Sequence, residues 1–92
     1  MGKKQYRLLI TGDVVGIGYR SWMKREAQNL GVVGWVKNRE DKTVEAVVQG
    51  EEKETQEMLE KAKKGPEVAW VESVSVTEQP VDKDLMGFEV IY

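Results

Sequence analysis

The chain has 92 residues, enough for one hydrophobic core and too few for two, so a single domain over residues 1–92 is expected. Its 14 basic and 16 acidic residues leave a net charge of −2, and no global field of that size recruits nucleic acid or an anionic membrane. Zero cysteine and zero histidine exclude disulfides, thiol nucleophiles, cysteine-ligated zinc and the commonest general base, leaving backbone amides, Arg, Lys, Asn and carboxylates for any catalysis.

The start "MGKKQYRLLI" has too short an apolar run for a secretory signal, and its Met-Gly opening lacks the Ser or Thr of a myristoylation motif, since position 6 is Tyr6. No apolar stretch reaches the roughly 18 residues of a membrane span. A cytoplasmic location is expected. "QYRLLITG" alternates Tyr6, Leu8 and Ile10 against Arg7, Leu9 and Thr11, the period of a first strand. From about Arg20, residues Met23, Ala27 and Leu30 recur at helical spacing, and Gly31 supplies the stop. "VVGWVKN" and "TVEAVVQG" read as two strands of a hairpin turning at "REDK". In "EEKETQEMLEKAKKGP" one stripe carries Thr55, Met58, Leu59 and Ala62, acids lead and lysines trail as the helix dipole favours, and Gly65-Pro66 ends the helix. "AWVESVSVTE" alternates Trp70, Glu72, Val74 and Val76 against Val71, Ser73, Ser75 and Thr77; after the loop "QPVDKDLMG", "FEVIY" makes a short last strand.

This order predicts an α+β fold, the ferredoxin-like βαββαβ sandwich, with a short C-terminal strand added. Right-handed crossovers place both helices on one face, and the hairpin puts the third strand between the first and second. The expected sheet is antiparallel, in the order 4-1-3-2, with its second face largely open to solvent.

"TGDVVGIGYRSW" places Gly12, Gly16 and Gly18 just ahead of Arg20, where strand gives way to helix. A helix start exposes unpaired N–H groups and the positive end of the macrodipole, so a fixed cation there is unfavourable unless an anion visits. Glycines at 16 and 18 allow positive φ and let successive amides point into one concavity, which suits phosphate; Arg20 adds a forked guanidinium. The plain alternative is a Gly-rich connection beside a solvated arginine. The spacing matches neither the nucleotide pattern GxxxxGK[ST] nor GxGxxG. Asn38, at the end of "GWVKN", is either a turn former or a neutral amide able to hold a water for attack. Trp22, Trp35 and Trp70 read as core or edge packing rather than stacking platforms, since no basic stripe surrounds them. Asp13, Glu40 and Asp41 lack calcium-loop spacing and read as solvated acids, so no metal is expected.

The two segments together resemble the acylphosphatases, which hydrolyse the carboxyl-phosphate anhydride of acyl phosphates. The first motif, G-x-V-Q-G-V-G-[FY]-R, is met by Gly12, Val14, Gly16, Gly18, Tyr19 and Arg20. The second, G-[FYW]-[AVC]-[KRQ]-N followed by a turn glycine, a valine and a closing glycine, is met by Gly34, Trp35, Val36, Lys37, Asn38, Val44 and Gly50. Val15 stands in place of the usual Gln, Ile17 in place of the frequent Val, and Lys42 in place of the turn glycine. The last costs up to about 1–2 kcal/mol if the position stays left-handed. The resemblance implies that the amides of Val15, Gly16, Ile17, Gly18, Tyr19 and Arg20 bind the phosphoryl group, that Arg20 clamps it and that Asn38 positions the attacking water. It implies a small acyl phosphate and phosphate as ligands, with no cofactor; a monomer is expected. Two other classes share parts of this pattern: a non-catalytic phosphate-binding module, and a ferredoxin-like nucleic-acid-binding domain, which the acidic Glu45 and the net charge oppose.

Overall fold

The computed structural model describes residues 2–92; Met1 of the Met-Gly start lies outside the described residues. Strand β1 (Lys3–Asp13) leads into helix α1 (Tyr19–Leu30), followed by β2 (Val33–Asn38), β3 (Val44–Glu51), α2 (Glu52–Lys64), β4 (Trp70–Gln79) and β5 (Phe88–Ile91). The strands form one sheet in the order β4-β1-β3-β2-β5. Its first four members follow the expected 4-1-3-2 and pair antiparallel. The fifth departs from the antiparallel expectation, because β5 runs parallel to β2, from Gly34 opposite Phe88 to Lys37 opposite Ile91. The cause is topological. Strand β4 ends beside the start of β1, at Gln5–Gln79, and β2 starts at that same end of the sheet. The connection must cross to the far edge there, so β5 sets off in the direction of β2.

Helix α1 lies over β2 and β5, and α2 over β1, β3 and β4, both on one face. The alternation of β1 sends Leu8 and Ile10 to this face, where with Val36, Val44, Ala46 and Val48 they are buried against Met23, Ala27, Met58 and Ala62. Leu30 packs at the rim. Burying each such aliphatic side chain contributes about 1.5–3 kcal/mol. Thr55, polar but fully buried in α2, donates its hydroxyl back to the carbonyls of Glu51 (3.1 Å) and Glu52 (2.9 Å).

Two details depart from the sequence pattern. The simple alternation expected for β4 breaks at a bulge: Thr11 pairs with Ser73 but Gly12 with Val71, so Glu72 is extra. Val71 therefore joins Val74 against the core, while Trp70 is left 61% exposed. Gly12 permits this, with φ of 130° and a position where a Cβ would collide with the carbonyl oxygen of Trp70. The second face is also less open than expected. Residues 80–87 cross one end of it, where the Asp82 N–H donates to the side-chain oxygens of Gln5 (3.2 Å) and Gln49 (2.7 Å), and Gln49 Nε2 donates to the Asp82 carbonyl (2.8 Å). Gln5 and Gln49 are consequently buried there, and Val47 and Glu45 are buried farther along the same face.

Candidate active site

Between β1 and α1, Val14 is buried in the core and the chain turns over residues 15–18. Gly16 and Gly18 have φ of 80° and 84°, and a Cβ on either would touch nothing within 4 Å. Handedness, not space, calls for glycine at both. Gly18 is the N-cap of α1 and offers no side chain; the first turn holds no acidic residue. The bond that opens the helix runs from the Trp22 N–H to the Gly18 carbonyl at 3.0 Å. Among the described residues, no hydrogen bond of good geometry is donated by the N–H of Val15, Gly16, Ile17, Gly18, Tyr19 or Arg20. Helix α2, by contrast, carries Glu52 and Glu54 in its first turn, complementing its own positive end.

Tyr19 anchors this loop from below. Its ring is buried, 5.2 Å from that of Trp22, and its hydroxyl donates to the Ala62 carbonyl at 2.7 Å. Ala62 lies in the last turn of α2, where carbonyls have no partner within the helix, so the bond satisfies one of them and ties the two helices together. Burial pushes the Tyr19 hydroxyl far above the ordinary tyrosine range, and it stays a donor. Sequence reasoning gave Tyr19 only its backbone amide; the hydroxyl's partner is 43 positions away and left no local signal.

Arg20 projects beside the C-terminal strand. Its Nη1 donates to the Ile91 carbonyl at 3.3 Å, and its guanidinium carbon lies 4.8 Å from the centre of the Tyr92 ring. The structure brings Asn38 to the same end of the sheet. Ile91 is paired with Lys37, the residue before Asn38, and Asn38 faces Val44, which in turn faces Ile10 near the end of β1. Being two residues beyond the buried Val36, Asn38 turns its side chain to the helix-bearing face. Its Oδ1 is buried and without a hydrogen-bond partner among the described residues.

Asn38 does not close the hairpin turn. That task falls to Asp41, whose Oδ1 accepts from the Thr43 N–H (3.1 Å) and hydroxyl (2.6 Å), while Arg39 and Thr43 pair through their backbones at 2.8 Å. The Thr43 bonds hold the Asp41 carboxyl below the usual range. Lys42, in the turn-glycine position, has φ of 67°, so the left-handed conformation is kept without glycine. Asp13, Glu40 and Asp41 do not converge: among the described residues no three acids form a metal-binding group. Gly34 of the second motif has φ of 144°, and a Cβ there would collide with the Val47 carbonyl. Its role is close strand approach.

The Acylphosphatase family model matches residues 6–90. The chain belongs to the acylphosphatase family. It is 47% identical over 90 residues to an acylphosphatase of Albidiferax ferrireducens, covering 98% of this chain and 96% of that one. With an acylphosphatase of Thermococcus kodakarensis it shares 42% over 92 residues, 99% of each. The crystal structure of acylphosphatase from Bacillus subtilis superposes with a TM-score of 0.92 at 36% identity, covering 97% of this chain and 99% of that one. This acylphosphatase fold thus presents a row of amides without a well-formed acceptor, one arginine and one unpartnered amide oxygen at one end of the sheet.

Proposed function

We propose that this chain hydrolyses acyl phosphates to a carboxylate and inorganic phosphate, using the cradle of residues 15–20 for the phosphoryl group and Asn38 for water. The observation that carries the site assignment is the run of six N–H groups without a well-formed acceptor, entering a helix start that lacks an acid of its own. Such a concavity is complementary to a phosphoryl group, whose charge spreads over three oxygens in the transition state. Arg20 supplies the fixed positive charge. With one guanidinium edge on Ile91 and one face on Tyr92, its rotamer is restricted before the ligand arrives.

In the reaction, water attacks phosphorus, and the bond between phosphorus and the carboxyl oxygen breaks with its electron pair going to the carboxylate. That leaving group is a weak base and needs no proton in flight, so a site without histidine or cysteine suffices. The buried Asn38 Oδ1 is an unfilled acceptor, suited to orient a water through one of its hydrogens. The amides and Arg20 provide the stabilisation of charge that a magnesium ion gives other phosphoryl-transfer sites, and the proposed reaction is metal-independent.

The test is hydrolysis of benzoyl phosphate, with and without EDTA and with inorganic phosphate as inhibitor. The expected result is turnover unaffected by chelator and competitive inhibition by phosphate. Phosphate binding without turnover would make the chain a phosphate-binding module, and activity restored only by magnesium would remove the metal-free mechanism.

A further inference from the structure

Asn38 is the last residue of β2, and the sheet holds it from one side only. It faces Val44 of β3, whereas the pairing of β2 with β5 stops one residue earlier, at Lys37 and Ile91. Its side-chain oxygen has no hydrogen-bond partner among the described residues, so no bond from that atom fixes the direction of the amide. The bracing comes from the opposite face. Alternation along the chain sends Lys37 and Arg39, the neighbours on either side of Asn38, to the second face of the sheet. There both reach one carboxylate oxygen, Glu45 Oε1, Arg39 through Nη1 at 3.2 Å and Lys37 through Nζ at 3.9 Å. The other oxygen, Oε2, accepts from Arg7 Nε at 2.7 Å, which ties the group to the central strand β1. The Glu45 side chain is only 11% exposed, so these pairs are less screened than surface ones.

We propose that Glu45 is a positioning residue for Asn38: holding residues 37 and 39 against the second face, it leaves residue 38 one orientation, with its amide toward the helix-bearing face. The inference rests on the water-orienting role given to Asn38 above. Glu45 itself, on the face away from the helices, touches neither the phosphoryl group nor the water. In Glu45→Gln, Arg7, Lys37 and Arg39 converge on a neutral amide. Their mutual repulsion loosens the end of β2, and the Asn38 oxygen spends less time where the attacking water needs it.

A double-mutant cycle on benzoyl phosphate hydrolysis tests this, with phosphate as competitive inhibitor and kcat expressed per folded molecule, the folded fraction being read by circular dichroism. Glu45→Gln is expected to lower kcat about tenfold and to leave the phosphate inhibition constant within about twofold of the parent. In the Asn38→Ala background the same substitution should cause no further loss, because a displaced residue 38 costs nothing once its amide is gone. The double variant Lys37→Gln, Arg39→Gln removes the brace from its other end, so it should repeat the loss of kcat and likewise add nothing to Asn38→Ala. A merely structural Glu45 would lower Tm and leave kcat per folded molecule unchanged. That outcome, a loss that multiplies with the loss from Asn38→Ala, or phosphate inhibition that weakens in step with kcat, overturns the positioning role and leaves the catalytic reading standing. Full kcat in Asn38→Ala alone would overturn the role of Asn38, and the brace with it.

Discussion

Arg20 stands where a helix dipole disfavours a cation, and its two contacts, the Ile91 carbonyl and the Tyr92 ring, hold it without neutralising it. Its charge is thus available to a phosphoryl group. Arg20→Lys keeps the charge and loses the planar fork, so phosphate affinity and kcat are each expected to fall about tenfold or more, read from steady-state kinetics with phosphate as inhibitor. Asn38→Ala should separate the two constants: kcat drops by roughly 10²–10³-fold while phosphate inhibition hardly moves, because in the proposed reaction the amide orients water rather than the bound ion. Lys42→Gly acts on stability alone. Relief of the left-handed strain, less the extra freedom glycine gives the unfolded chain, should raise unfolding free energy by about 0.5–1 kcal/mol, measurable in urea. Gly16, Gly18, Arg20, Asn38 and the Lys42 strain were all legible in the sequence, because each is a local matter of backbone handedness or of a residue type out of place. The supports of Arg20 were not, since Ile91 and Tyr92 are more than 70 positions away and nothing in "FEVIY" announces an arginine partner.

At the level of elements, both helices and every strand were located, the helices and β1 by an apolar stripe or face and β2, β3 and β5 as β-rich runs bounded by polar or glycine-bearing turns. What was missed arises where elements meet: the bulge between β1 and β4, the parallel β5, and the charge cluster on the second face of the sheet. There Glu45 of β3 is nearly buried and receives Arg7 of β1 at 2.7 Å, Arg39 at 3.2 Å and Lys37 of β2 at 3.9 Å. From the sequence, Glu45 read only as an acid on an open face; three cations from separate segments had to be assembled by strand register. Burial pushes the Glu45 carboxyl up, but Arg7, Arg39 and Lys37 outweigh it and the net shift is downward. A carboxyl whose folded pKa lies below its unfolded value contributes stability that is full above the unfolded pKa and is lost as pH falls through the folded one. Glu45→Gln is therefore expected to cost about 1–2 kcal/mol at pH 7, with the difference from the parent vanishing below the ordinary carboxyl range. Chemical denaturation at a series of pH values checks both the size and the direction.

For the whole molecule, the proposed phosphoryl cradle implies a stability that depends on phosphate. At a phosphate concentration 100 times its dissociation constant, the folded state should gain about 2.7 kcal/mol, seen as a rise in Tm. Arg20→Ala should lose most of that gain while matching or slightly exceeding the parent in phosphate-free buffer, since a cation is removed from a helix start. The register of the sheet has a further consequence, in time rather than energy. Strand β1 is central, yet Gln5 meets Gln79, so one side of the first strand to be made waits for nearly the last one. At roughly 5–20 residues per second of synthesis, the separation of 74 positions corresponds to a delay of about 4–15 s. Throughout that interval a nascent chain presents the Leu8–Ile10 strand with one unpaired edge, which makes the ribosome-bound state, rather than the finished fold, the stage most open to pairing with a neighbouring chain.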